Sequence, residues 1–161
     1  RVDRRQRQMC IRDRYFDSPD LCYQPLLEEQ LVVIGRRDHP AFAPELSLEA
    51  YQACLHVAIP DRGGRGSPLE IVLGSAKVQR QVQVFVPNYL SIPLIVAQSD
   101  LLGTVPRYLA EHFCALLPIR IASLPLLAAP VQVSLIWHRQ QQQAPGLQWL
   151  RREIAAIASA P

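Results

Sequence analysis

The 161-residue chain contains no CxxC pair, no long uninterrupted apolar run and no glycine-rich dinucleotide fingerprint. Its four cysteines, Cys10, Cys22, Cys54 and Cys114, stand apart with no histidine at ligand spacing. That spacing argues against structural zinc and against a secreted disulfide framework, and it fits a reducing, cytoplasmic setting. The longest mostly apolar stretch, residues 115–133, is broken by Pro118, Arg120, Pro125 and Pro130, so no membrane helix and no membrane partner are expected. The basic start is not followed by an apolar core and a small-residue cleavage site, so no signal peptide is read there. A GxSxG elbow, paired carboxylates and a reactive-cysteine context are also missing, so neither an enzyme nor a cofactor is expected.

Charge is scarce outside the first fourteen residues, RVDRRQRQMCIRDR. They carry six arginines and two aspartates, a net of +4, which leaves 11 basic and 12 acidic residues, a net of −1, for the rest. A near-neutral remainder lacks the basic surface that nucleic-acid backbones require. The opening stretch has no apolar period and is expected to be non-native sequence, of the kind translated across sequencing-adapter or assembly junctions, or a disordered basic tail.

What is present reads as strands alternating with helices. Residues 15–30 form a polar, proline-punctuated connector, and Leu31, Val32, Val33 and Ile34 predict a strand buried on both faces. Leu46, Leu48 and Tyr51 mark a short helix ahead of a strand over residues 56–60. Ser67, Pro68 and Glu70 form a capping box that starts a helix. Val82, Val84 and Val86 alternate as a strand, and Asn88 can cap the helix that follows. LLGTV is a buried strand, Pro106 opens the next helix, and IRIASLP is a further strand. In PVQVSLIWH, residues Val131, Val133, Leu135 and Trp137 share one face. Leu147, Leu150, Ile154 and Ile157 recur at helical spacing to the end of the chain. This order implies an α/β fold with largely parallel strands.

Two local features admit a functional reading. GGRGS, residues 63–67, lacks the lysine of a nucleotide loop and reads as a turn and cap, or as a seat for a small anion. His56 stands at a strand start inside an α/β crevice and reads equally as a satisfied structural histidine or as a ligand contact. His39, His112 and His138 pair with nothing at metal-ligand spacing, so no metal site is expected.

EEQLVVIGRRDHP, LSLEAYQACLHVAIPDRGGRG, VQVFVPNYLSIPLIVAQSDLLGTVPRYLAE and PVQVSLIWHRQQQQAPGLQWLRREI occur in that order over residues 26–157. Together they resemble the effector-binding domain of bacterial LysR-type transcriptional regulators, with closest likeness to the branch that responds to aromatic acids. The resemblance implies a fold like type 2 periplasmic binding proteins, with two lobes of mainly parallel sheet and a small molecule in the cleft. It places residues 15–54 and 128–161 in an incomplete first lobe and residues 55–127 in the second. It also implies that His56 and Asn88 face the inducer, joined by Pro60, Asp61, Arg62 and Gly63, by Tyr89 and Ser91, and by Thr104. The family often has a histidine where this chain has Asn88; an amide keeps a donor and an acceptor but loses the option of positive charge.

The resemblance implies a small-molecule inducer that is an aromatic acid, a homodimer or tetramer formed through this domain, and DNA contact only through a winged helix-turn-helix that this chain lacks. Weak inducer binding is expected, because half of one lobe is absent. A transporter's solute-binding protein shares the fold and is the alternative; it would carry an export signal.

Overall fold

Val32 and Ile34 point into one apolar cluster and Val33 into another, and this is why the run from Leu31 is apolar without interruption. In the computed structural model, which describes residues 10–12, 18–60, 69, 73 and 78–159, that run is strand β3 (Leu31–Arg36). Before it come β1 (Cys10–Arg12) and β2 (Leu21–Glu29). After it come α1 (Leu48–Ala53), β4 (Leu55–Ala58), β5 (Gln81–Phe85), α2 (Ser91–Val96), β6 (Leu102–Pro106), α3 (Arg107–Cys114), β7 (Ile119–Ser123), β8 (Val131–His138) and α4 (Pro145–Ala158).

The chain divides into two units. The larger, Glu29–Pro130, holds a five-stranded sheet in the order β5-β4-β6-β3-β7. β4 runs parallel to β5 and to β6, whereas β3 is antiparallel to both its neighbours, with Val33 opposite Thr104 on one side and Ala122 on the other. The sheet is therefore mixed, with one reversed strand, where the sequence implied a largely parallel one. Ile92 and Val96 of α2 and Ala110 of α3 cover one face with Val57, Val105 and Ile119. Phe42, Leu46 and Tyr51 cover the other with Leu69, Leu73, Leu102 and Leu124. The capping box at Ser67, Pro68 and Glu70 lies outside the described residues, but Leu69 and Leu73 are helical and buried. α1 begins where Ser47 Oγ accepts from Ala50 N at 3.1 Å, the expected form of an N-cap.

The smaller unit, Arg1–Glu28 with Val131–Pro161, holds the sheet β1-β8-β2 and α4. Three expectations change here. Residues 21–29, read as a connector, form a nine-residue strand; its Pro25 is tolerated because β2 lies at the sheet edge. Within the opening stretch, Cys10–Arg12 form a strand in antiparallel register with β8, Cys10 opposite Ile136, so that part is not a structureless tail. Leu31–Ala53, assigned by the resemblance to the first lobe, group with the larger unit, because β3 pairs with β6 and β7. Ile157, on the expected inner stripe of α4, is 75% exposed.

Candidate functional site

Because β4, β5 and β6 run in one direction, their carboxyl ends at Ala58, Phe85 and Pro106 share one end of the sheet, where open α/β sheets take ligands. Val86 N donates to Ala58 O at 2.9 Å and draws the segments leaving β4 and β5 side by side. Half-buried Pro60 leads out of the first. In the second, Asn88 is exposed, and its Oδ1 accepts from Ser91 N and from Ser91 Oγ, each at 3.2 Å. Asn88 thus braces the turn ahead of α2 by holding its first residue; the N-cap position itself is Leu90, which makes no side-chain cap, where the sequence had offered Asn88. Half-buried Tyr89 packs against the cluster below. At the end of β6, Arg107 N donates to Gln30 O at 2.8 Å and to Glu29 Oε1 at 3.1 Å, pinning the start of β3 to the start of α3.

A polar network lies inside the unit. Tyr51 Oη and Thr104 Oγ1 share a hydrogen bond of 3.0 Å, and both residues are buried. His56 Nε2 donates to the Tyr51 carbonyl at 2.7 Å, and its ring meets the Tyr51 ring edge-on at 4.6 Å between centroids. That donation puts the ring proton on Nε2, while Nδ1 is buried with no hydrogen-bond partner. Burial, with a smaller effect from the Arg80 charge, outweighs the Tyr51 bond and pulls the His56 pKa down to about 4. The imidazole is neutral at pH 7.

Of the residues expected to face an inducer, the structure brings Pro60 and the Asn88–Tyr89–Ser91 turn together at the sheet end and encloses His56 and Thr104 in the Tyr51 network. Asp61, Arg62 and Gly63 lie outside the described residues. Sequence reasoning missed Tyr51 as a polar anchor; a tyrosine on the buried stripe of a short helix is the available signal, since its hydroxyl needs a partner. Among the described residues no group of three or more His, Cys, Asp or Glu side chains could hold a metal, and no helix is long and apolar enough to cross a membrane. Chemically, the sheet end offers an amide, hydroxyls and backbone groups, which suit recognition of a small polar molecule.

The chain matches the LysR substrate binding domain family over residues 1–158. It is 34% identical over 137 residues to the HTH-type transcriptional regulator SyrM 1 of Sinorhizobium fredii, covering 84% of this chain and 40% of that protein. The chain thus spans about two fifths of the length of the curated relatives it matches. In fold it resembles the regulatory domain of MexT, a transcriptional activator in Pseudomonas aeruginosa, with a TM-score of 0.71 at 22% identity over 87% of this chain and 67% of that one. It also resembles the effector binding domain of QuiR in complex with shikimate, with a TM-score of 0.74 at 16% identity over 93% and 71% of the two chains. Mixed α/β sheets, strand ends converging on a polar turn and a family match over nearly the whole sequence lead to one assignment: this chain belongs to the LysR substrate-binding-domain family.

Proposed function

We propose that this chain is the sensing part of a LysR-type transcriptional regulator and that the sheet end of its larger unit takes a small aromatic carboxylate. The observation that supports this is the Val86–Ala58 hydrogen bond, which joins the two strand ends from which Pro60 and the Asn88–Ser91 turn lead out. In this reading Asn88, Tyr89 and Ser91 contact the inducer, together with Pro60 and the adjoining Asp61, Arg62 and Gly63. His56 and Thr104 support them from the layer beneath. A neutral His56 suits that role, since it brings no charge into the core. That QuiR's effector binding domain was solved with shikimate supports a small-molecule occupant. Occupancy acts through differential affinity for two arrangements of the parent protein, which assembles into dimers or tetramers through this domain and meets DNA through its helix-turn-helix. The same reading makes the protein a cytoplasmic sensor without catalysis.

Calorimetry on this chain with benzoate, and with benzamide as its uncharged counterpart, tests the proposal. Benzoate binds, benzamide binds at least about tenfold more weakly, and Asn88→Ala weakens benzoate by about tenfold while the circular dichroism spectrum is unchanged. Equal affinity for acid and amide, or no binding of either, overturns it.

A further inference from the structure

A groove of about 400 Å³ runs along α4 in the smaller unit, lined by Gln24, Gln148, Arg151, Arg152 and Ala155. Among the described residues its lining holds two consecutive arginines and no carboxylate. Arg151 is 7% exposed, an extreme position for a cation. Its guanidinium lies 4.4 Å over the Trp137 ring, and Nη2 donates to Gln142 O at 3.0 Å. Trp137 Nε1 in turn donates to Gln142 Oε1, so both partners of the arginine are themselves held. Nη1 is buried with no acceptor. Gln148 donates to Gln142 O and Gln143 Oε1, each at 3.2 Å, and props the turn ahead of α4.

A buried cation is normally matched by an anion, because stacking and one carbonyl leave most of its charge uncompensated. This guanidinium is held rigidly, lines an open groove and has an exposed arginine next to it along the chain. The volume is that of a small-ligand site. We propose that this groove is an anion site, distinct from the sheet end of the larger unit, which takes a small molecule bearing a carboxylate or phosphate group. Arg151 supplies fixed charge, Arg152 supplies an adaptable second donor set, and Gln24 adds a carboxamide at the wall.

The test is nuclear magnetic resonance of the ¹⁵N-labelled chain at constant ionic strength, titrated separately with inorganic phosphate and with acetate. The expected result is saturable movement of the Arg151 and Arg152 side-chain N–H signals and of the α4 amides with at least one anion. The two titrations distinguish phosphate from carboxylate preference. Arg152→Gln, at an exposed position, weakens binding about fivefold without altering the fold, and Arg151→Lys, which keeps the charge but not the fork, weakens it about tenfold. Linear, non-saturating shifts with both anions, or saturable binding that Arg152→Gln and Arg151→Lys leave unchanged, overturns the proposal.

Discussion

His56 couples stability to acidity through a single ring. Its pKa is depressed from 6.5 to about 4 in the folded chain, so the unfolded chain takes up the proton first as pH falls. The neutral ring's contribution is intact above pH 6.5 and is lost as pH drops from 6.5 towards 4, up to about 3 kcal/mol across that window. Urea unfolding midpoints measured at pH 7.5 and pH 4.5 should therefore fall steeply for the native chain, and His56→Gln should flatten that fall. Tyr51→Phe removes the hydroxyl bonded to Thr104 and leaves a buried oxygen without its partner, which costs about 1 to 2 kcal/mol by the same assay. His56 could be singled out from sequence because a histidine at a strand start is uncommon enough to notice. Its orientation could not, since the Tyr51 carbonyl that captures Nε2 belongs to a different element and is fixed only once α1 docks.

Among the elements, α2 packs close against the sheet at Gly103 of β6. A Cβ at that position would come within 2.3 Å of Ile92 Cγ2, so Gly103→Ala forces α2 outward and costs about 1 to 3 kcal/mol, measured as a lower unfolding midpoint. Since α2 carries Ser91, the same substitution should weaken ligand binding at the sheet end. Elements with a strong period were legible: β3 by its unbroken apolar run, β5 by alternating valines, α4 by its recurring leucines and isoleucines. β2 was not, because LCYQPLLEE neither alternates nor avoids proline, and only its partner β8 makes it a strand. In β8 the alternation puts Val131, Val133, Leu135 and Trp137 on one face, and Ser134, Leu135, Ile136 and Trp137 are all buried, so both faces are covered there. Reversal of β3 left no mark in the sequence, since a strand buried on both faces is apolar whichever way it runs.

For the whole molecule, the informative surface is apolar. Phe85, Leu90 and Leu94 are 63%, 59% and 53% exposed, and Tyr108, Leu116 and Leu127 more so. Exposed side chains of this size favour association. Sedimentation velocity over a concentration series should show the chain forming dimers or larger species, and the double substitution Leu90→Gln with Leu94→Gln should shift the distribution towards monomer. A stable monodisperse monomer at all concentrations contradicts this expectation. The reversed strand has a consequence of its own during synthesis. Leu31–Arg36 leaves the ribosome ahead of both strands that hydrogen-bond to it, β6 and β7, which begin only at Leu102 and Ile119. Until Ser123 has been added, the most apolar strand of the larger unit has at least one open ladder, so its assembly waits on sequence-distant partners. Any nascent or cleaved product ending before that point carries a sticky, unpaired edge in place of a finished sheet.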